Sequence, residues 1–310
     1  MSELDPVDAH LSTLKESATA YNVKVKRTIR AAAVCAETKP GQTAANLELI
    51  AAHAGQAARD GAELVLFPEL SVTGFIPNHP TGDHAAWLKQ ALLAAWQSAE
   101  RLDGEAVAGL TAIAKETSLH LCAGLLEDAG NRLHNTQVLI GPEGLIAAWR
   151  KMHVPMYEMP FYNGGPVPKV VDTPLGRIGC NICFDALLPE STRLLAAQNV
   201  ELVLFPFAAD PAPGDAAAWA RPPLQARCVE NGVFGLACNY KGHVSCAGVD
   251  QTFPGGAMAV GPSGEILSER LESDDPLMVD FRADTLIEAR ANPDYLYRFR
   301  RPELYGPLAE

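Results

Sequence analysis

No apolar run reaches the roughly 18 residues a helix needs to cross a bilayer, so no span is expected. Positive charge is scarce: 25 Lys and Arg stand against 37 Asp and Glu, a net charge of −12. Proteins that bind a nucleic-acid duplex carry a basic stripe. Here the one basic cluster, Lys24, Lys26, Arg27 and Arg30, adjoins an acidic N-terminus and reads as a solvated linker. The expected partners are therefore small molecules or protein chains, not nucleic acid or membrane. No G-x-x-x-x-G-K-[ST] phosphate loop occurs. The pair Cys180-Asn-Ile-Cys183 has no second close ligand pair: Cys228, Cys238 and Cys246 do not supply one, so no metal is expected. The seven cysteines are odd in number and lie in apolar runs, which fits the reduced thiols of a cytoplasmic protein better than a disulfide framework. The acidic start MSELDPVDAH argues against a secretory leader.

What is present is a duplication. With 310 residues, 48% of them hydrophobic, the chain can bury a large core. Glu63-Leu-Val-Leu-Phe-Pro68 recurs letter for letter as Glu201-Leu-Val-Leu-Phe-Pro206, and Gly141-Pro-Glu-Gly144 recurs as Gly261-Pro-Ser-Gly264. Around these anchors the expected elements run in the same order. The first half reads strand 29–36, helix 43–59, strand 63–67, helix 99–117, strands 119–126, 134–140 and 144–150. The second reads strand 176–183, helix 189–198, strand 201–205, helix 215–230, strands 232–239, 256–261 and 265–270. Repetition in register is the signature of a repeated unit. The β-branched runs suggest strands covered on both faces, so two βαβαβββ halves are expected to pack into one α/β layered domain. Residues 1–27 read as an N-terminal extension with a helix near 8–20, residues 28–285 as the organised domain, and 286–310 as a tail.

Four positions carry candidate chemistry. Cys183 sits where a buried strand gives way to a helix opened by Pro189 and Glu190. Such a junction holds a side chain away from the sheet near free N–H groups, which lowers a thiol pKa and offers donors to an oxyanion. The competing reading is a small buried hydrophobe, as most free cysteines are. Glu69 follows Phe67-Pro68 at a strand end, where an acid is costly unless paired or functional. The second copy has Phe207 there, so the fold does not demand an acid. Lys151 ends a strand, and Glu158 lies in the loop beyond it; each is a weak signal alone. His153 in that loop reads as a structural hydrogen-bonder.

Phe67-Pro-Glu-Leu-Ser-Val-Thr-Gly-Phe75, Arg150-Lys-Met-His153 and Gly179-Cys-Asn-Ile-Cys-Phe-Asp185 with Pro189-Glu190 resemble the three signature segments of the carbon–nitrogen hydrolase (nitrilase) superfamily. The likeness extends through Arg227-Cys-Val-Glu-Asn231 and the second Gly-Pro-x-Gly hairpin. The resemblance implies a four-layer αββα sandwich with internal pseudo-two-fold symmetry. It implies a catalytic triad of Glu69, Lys151 and Cys183, with Glu158 as a second glutamate. It implies C–N bond hydrolysis through a thioester on Cys183 and an oxyanion held by Lys151 and the Phe184 N–H. Phe184, Phe207 and Ala208 are the candidate substrate contacts. Phe184 and Asp185 follow the cysteine where nitrilases usually carry Trp and Glu. The expected substrate is therefore a small amide or N-carbamoyl (ureido) compound, with a nitrile as the runner-up. Ala186 and Leu187 stand where hydrolases of N-carbamoyl amino acids often place arginines, which disfavours an α-carboxylate. Ala257 replaces a serine common in the family. The resemblance also implies a homo-oligomer, with the tail, rich in Tyr295, Tyr297, Phe299 and Tyr305, as its contact.

Overall fold

The architecture comes from a computed structural model, which describes residues 27–80, 82–211, 220–271 and 275–309. The helix expected near 8–20 lies outside those residues, as do Lys24 and Lys26.

The first half runs β1 (Ile29–Ala33), α1 (Thr43–Arg59), β2 (Leu64–Leu66), α2 (His84–Ser98), α3 (Glu105–Thr117), β3 (His120–Asp128), β4 (Leu133–Gly141) and β5 (Gly144–Arg150). The second runs β6 (Val171–Thr173), β7 (Gly176–Cys180), α4 (Pro189–Ala196), β8 (Leu202–Phe207), α5 (Arg221–Asn231), β9 (Phe234–Asn239), β10 (Lys241–Cys246), β11 (Val249–Pro254), β12 (Ala257–Val260) and β13 (Ile266–Arg270). Strand β14 (Leu277–Phe281) and helix α6 (Ala283–Ala291) follow. One six-stranded sheet has the order β14-β1-β2-β3-β4-β5; the other has β6-β7-β8-β9-β12-β13. The two orders are equivalent position by position. In each, three parallel strands continue into an antiparallel hairpin, and one short antiparallel strand pads the first.

The alternation within the repeated hexapeptide explains the layering. Leu64 and Leu66 join Leu202 and Leu204 in the core between the sheets. Val65 and Phe67 face α1 and α3, packing with Ile50, Ala54, Val107 and Leu110. Val203 and Phe205 face α4 and α5, packing with Leu195, Leu224 and Cys228. Successive side chains on a strand point to opposite faces, so a continuous apolar run is what a strand between two layers needs. The result is an αββα sandwich.

Several elements differ from expectation. The helix expected over 99–117 begins only at Glu105: Ala99 and Glu100 are extended, Glu100 bridges Glu127, and Gly104 precedes α3. Helix α2 was not foreseen; Asp83 caps it by accepting from the N–H groups of Ala85 and Ala86. The hairpin β10–β11 and the padding strands β6 and β14 were also not foreseen. The strand expected to reach 183 ends at Cys180, and the helix expected from 215 is described only from Arg221. The basic cluster is only partly a solvated linker: Arg30 lies on β1 and forms a two-pronged bridge to Asp280 on β14, and Arg27 pairs with Glu63.

Candidate active site

Glu69 is placed by a turn that docks on β3. Val72 N–H donates to the Gly124 carbonyl at 2.7 Å, and Gly124 N–H donates to Ser71 Oγ at 3.2 Å. The turn comes so close that a Cβ on Gly124 would lie 2.2 Å from the Leu70 nitrogen. Leu70 itself is left-handed, with φ of 54°. Glu69 is thereby fully buried. Its Oε1 accepts from Asn135 Nδ2 at 2.6 Å and from Lys151 Nζ at 2.8 Å. Its Oε2 is buried without a hydrogen-bond partner.

Lys151 leaves the end of β5, and its backbone N–H donates to the Asn135 carbonyl. Its buried ammonium donates to Glu69 and, at 2.8 Å, to Glu158 Oε2. Burial pushes that ammonium down, but the two carboxylates outweigh it and hold its pKa well above the ordinary value. Glu158 lies in a turn in which the N–H groups of Phe161 and Tyr162 donate to its carbonyl. Phe161 packs edge-on against Trp87 of α2, so the unforeseen helix secures this loop. Burial first, and then Glu69, raise the Glu158 carboxyl from 4.5 to about 7, against the pull of Lys151.

Cys183 follows β7 at the start of a single 3-10 turn, Cys183–Leu187, with φ of +49°. A left-handed β-carbon-bearing residue stores on the order of 1–3 kcal/mol of strain and holds its side chain in a fixed direction. The first N–H groups of such a turn lack internal partners, so they can face an anion. The sequence suggested a lowered thiol pKa; the structure corrects this. Burial, then the Glu69 carboxylate, hold the Cys183 thiol well above its ordinary range, although Lys151 and the Ala208 N–H work against them. The resting group is a thiol that needs a base. Cys180, by contrast, is buried in the inter-sheet core.

Asp185 and His153 join the two loops. The buried Asp185 carboxylate accepts from the N–H groups of Ile182, Met152 and His153, and it pairs with His153 Nδ1 at 2.9 Å. The sequence offered His153 as a structural hydrogen-bonder, as it is, but not Asp185. Its only signal was its place in the motif after the cysteine.

A cavity of about 310 Å³ opens over Cys183 and Glu158. Phe184, Phe207 and Ala208 line it, as do Phe75, Tyr157 and Leu187. Glu69 and Lys151 are buried beside the thiol without lining the cavity. Among the described residues no three His, Cys, Asp or Glu side chains are grouped to hold a metal ion, and no helix is long and apolar enough to cross a membrane.

The two-sheet sandwich thus holds a thiol at the cavity, with a carboxylate and an ammonium buried beside it. The chain belongs to the carbon-nitrogen hydrolase family, whose model matches residues 30–291. It is 30% identical over 297 residues to an (R)-stereoselective amidase from Pseudomonas sp., covering 96% of this chain and 91% of that one. It is 27% identical over 253 residues to a nitrilase from Pyrococcus abyssi, covering 81% and 88%. A mutant of the amidase from Nesterenkonia sp. AN1, 26% identical, superposes with a TM-score of 0.71 over 91% of this chain and 97% of that one. That structure shows the acetamide moiety of fluoroacetamide added covalently at its active-site cysteine.

Proposed function

We propose that the protein hydrolyses a C–N bond of a small amide or N-carbamoyl compound through a thioester on Cys183. The observation that carries this is Glu69 Oε2, a buried acceptor with no partner, next to a thiol held in its protonated form. In the first step Oε2 takes the thiol proton while Sγ bonds to the carbonyl carbon. The oxygen that gains charge is held by the Lys151 ammonium and the Phe184 N–H. The C–N bond then breaks, and the proton passes from Glu69 to the leaving nitrogen. A water attacks the thioester, giving its proton to Glu69, and the thiol re-forms as the acid departs. General acid–base help of this kind contributes roughly 10²–10⁴-fold, and one oxyanion donor about 2.7–4 kcal/mol. Every group is a side chain or N–H of the chain itself, so the scheme calls on no metal or cofactor.

Glu158 favours an amide over a nitrile. A carboxyl near pKa 7 can carry a proton close to an amine or ammonia that must leave, whereas a nitrile expels nothing in its first step. The test is kcat/KM for an amide and a nitrile sharing one side chain. The amide is expected to be the faster substrate; a faster nitrile would make this a nitrilase.

The working form is proposed to be a homo-oligomer joined through the tail. Tyr295 anchors the tail to its own subunit, donating to the Asn231 carbonyl at 2.9 Å and lying over Gly232. Leu296, Phe299, Leu304 and Leu308 beyond it are exposed by 55–77%. Aromatic and aliphatic surface of this density is common where proteins associate.

A further inference from the structure

Part of the cavity wall is not used by this chemistry. Asn78, His79, Asp210 and Gln251 all line the cavity and form one hydrogen-bonded chain. Gln251 Oε1 accepts from the Asn78 N–H at 3.2 Å, and Gln251 Nε2 donates to Asp210 Oδ1 at 2.7 Å. His79 Nε2 lies 3.0 Å from Asp210 Oδ2. Asn78 is 4% exposed and Gln251 8%, so these two are built into the fold, while the His79 and Asp210 side chains they lead to are each 47% exposed. Asn78 Oδ1 is buried with no hydrogen-bond partner.

The wall offers acceptors. A carboxylate has about four acceptor positions, and the two contacts named leave Asp210 with spare ones. The remaining walls include the rings of Phe75, Tyr157 and Phe207, whose electron-rich faces attract cations. Among the described residues no lysine or arginine lines the cavity, and the lining His79 is turned to Asp210. A carboxylate here would meet the like charge of Asp210 and, among the described lining residues, no lysine or arginine to pair with. The net charge of −12 draws cations toward the mouth.

Resting on the hydrolytic reading above, we propose that the Asp210 wall recognises a protonated amine, so that the preferred substrate is a small amide or ureido compound carrying an ammonium group remote from the bond that is cleaved. A cavity of about 310 Å³ is at the small end for ligand sites, which limits the chain between the two groups to a short one.

The experiment uses three amides that differ only at the far end of the chain: ammonium, methyl or carboxylate. In the wild type, kcat/KM is expected to be at least tenfold higher for the ammonium than for the methyl compound and lowest for the carboxylate. In Asp210→Asn the ammonium-to-methyl ratio is expected to fall toward one, mainly through KM, and in Asp210→Glu to persist. A wild-type preference for the methyl or carboxylate compound overturns the proposal without need of a variant. So does a ratio that survives in an active Asp210→Asn. If no amide is hydrolysed and Cys183 is never acylated, the hydrolytic reading itself has failed and this inference falls with it.

Discussion

At the scale of single residues, the site is a balance of charges taken out of water. Lys151 is fully buried yet remains an ammonium because two carboxylates face it. Removing one partner of such a group leaves an uncompensated buried charge, which is strongly destabilising. Glu158 carries the consequence for pH. Its pKa in the folded chain, about 7, lies above its ordinary 4.5. Between those values the folded protein binds more protons than the unfolded one. The stability Glu158 contributes is therefore fully present below pH 4.5 and is lost as pH rises through 7. Glu158→Gln should flatten this part of the stability–pH curve, read as thermal midpoints at pH 5 and pH 7.5. A variant that loses as much as the wild type between those two pH values would contradict the assignment. Glu69, Lys151 and Cys183 were legible in the sequence through the motifs around them. The thiol's pKa was not, because its sign depends on which wins, the turn's N–H groups or burial beside Glu69. Only the packed structure brings those groups to one place.

At the scale of elements, positioning is done by close backbone approach. The Glu69 turn lies on β3 at Gly124, where an added Cβ would meet the Leu70 nitrogen at 2.2 Å and Gln137 Oε1 at 2.7 Å. Backbone cannot yield as a flexible side chain can. Gly124→Ala should therefore cost at least the roughly 1–3 kcal/mol typical of overpacking, and it should displace Glu69 with a large loss of kcat. Thermal unfolding and steady-state kinetics would show both; wild-type stability and turnover would mean that the turn is not held as described. The duplicated strands β2 and β8 were legible because their pattern is local. Helix α2 was missed although Trp87, Ala91 and Ala95 recur at helical spacing and Asp83 supplies a cap. Pro77, Pro80 and Gly82 just before it look like the start of a long loop, and its apolar face is mostly alanine. The padding strands β6 and β14 were missed for another reason. Three and five residues long, they owe their pairing to neighbours distant in sequence rather than to a pattern of their own.

At the scale of the whole molecule, the internal symmetry places Glu69 after one buried strand and Phe207 at the equivalent point of the other. One copy supplies the acid and the second an apolar cavity wall. Duplication thus provides two equivalent strand ends that have diverged into a polar and an apolar side. The tail lies outside this symmetry. Arg300 stacks over Tyr297 at 4.8 Å, and Tyr295 is fixed to Asn231 of the same chain, while Phe299 and Leu308 are exposed by 65% and 77%. Replacing both by serine should shift the protein to smaller species on size-exclusion chromatography. Folding should change little, since exposed substitutions usually stay within about 0.5 kcal/mol. An unchanged elution volume would mean that the tail serves its own subunit alone.

Cys183 is expected to become acylated during turnover. Mixing the enzyme with a short amide, quenching in acid within the first turnovers and mapping the peptides by mass spectrometry tests it most directly. The acyl mass is expected on the peptide containing both Cys180 and Cys183. Fragmentation should assign it to Cys183, and both adduct and turnover should vanish in Cys183→Ala. An adduct on Cys180, or full turnover by Cys183→Ala, would contradict it.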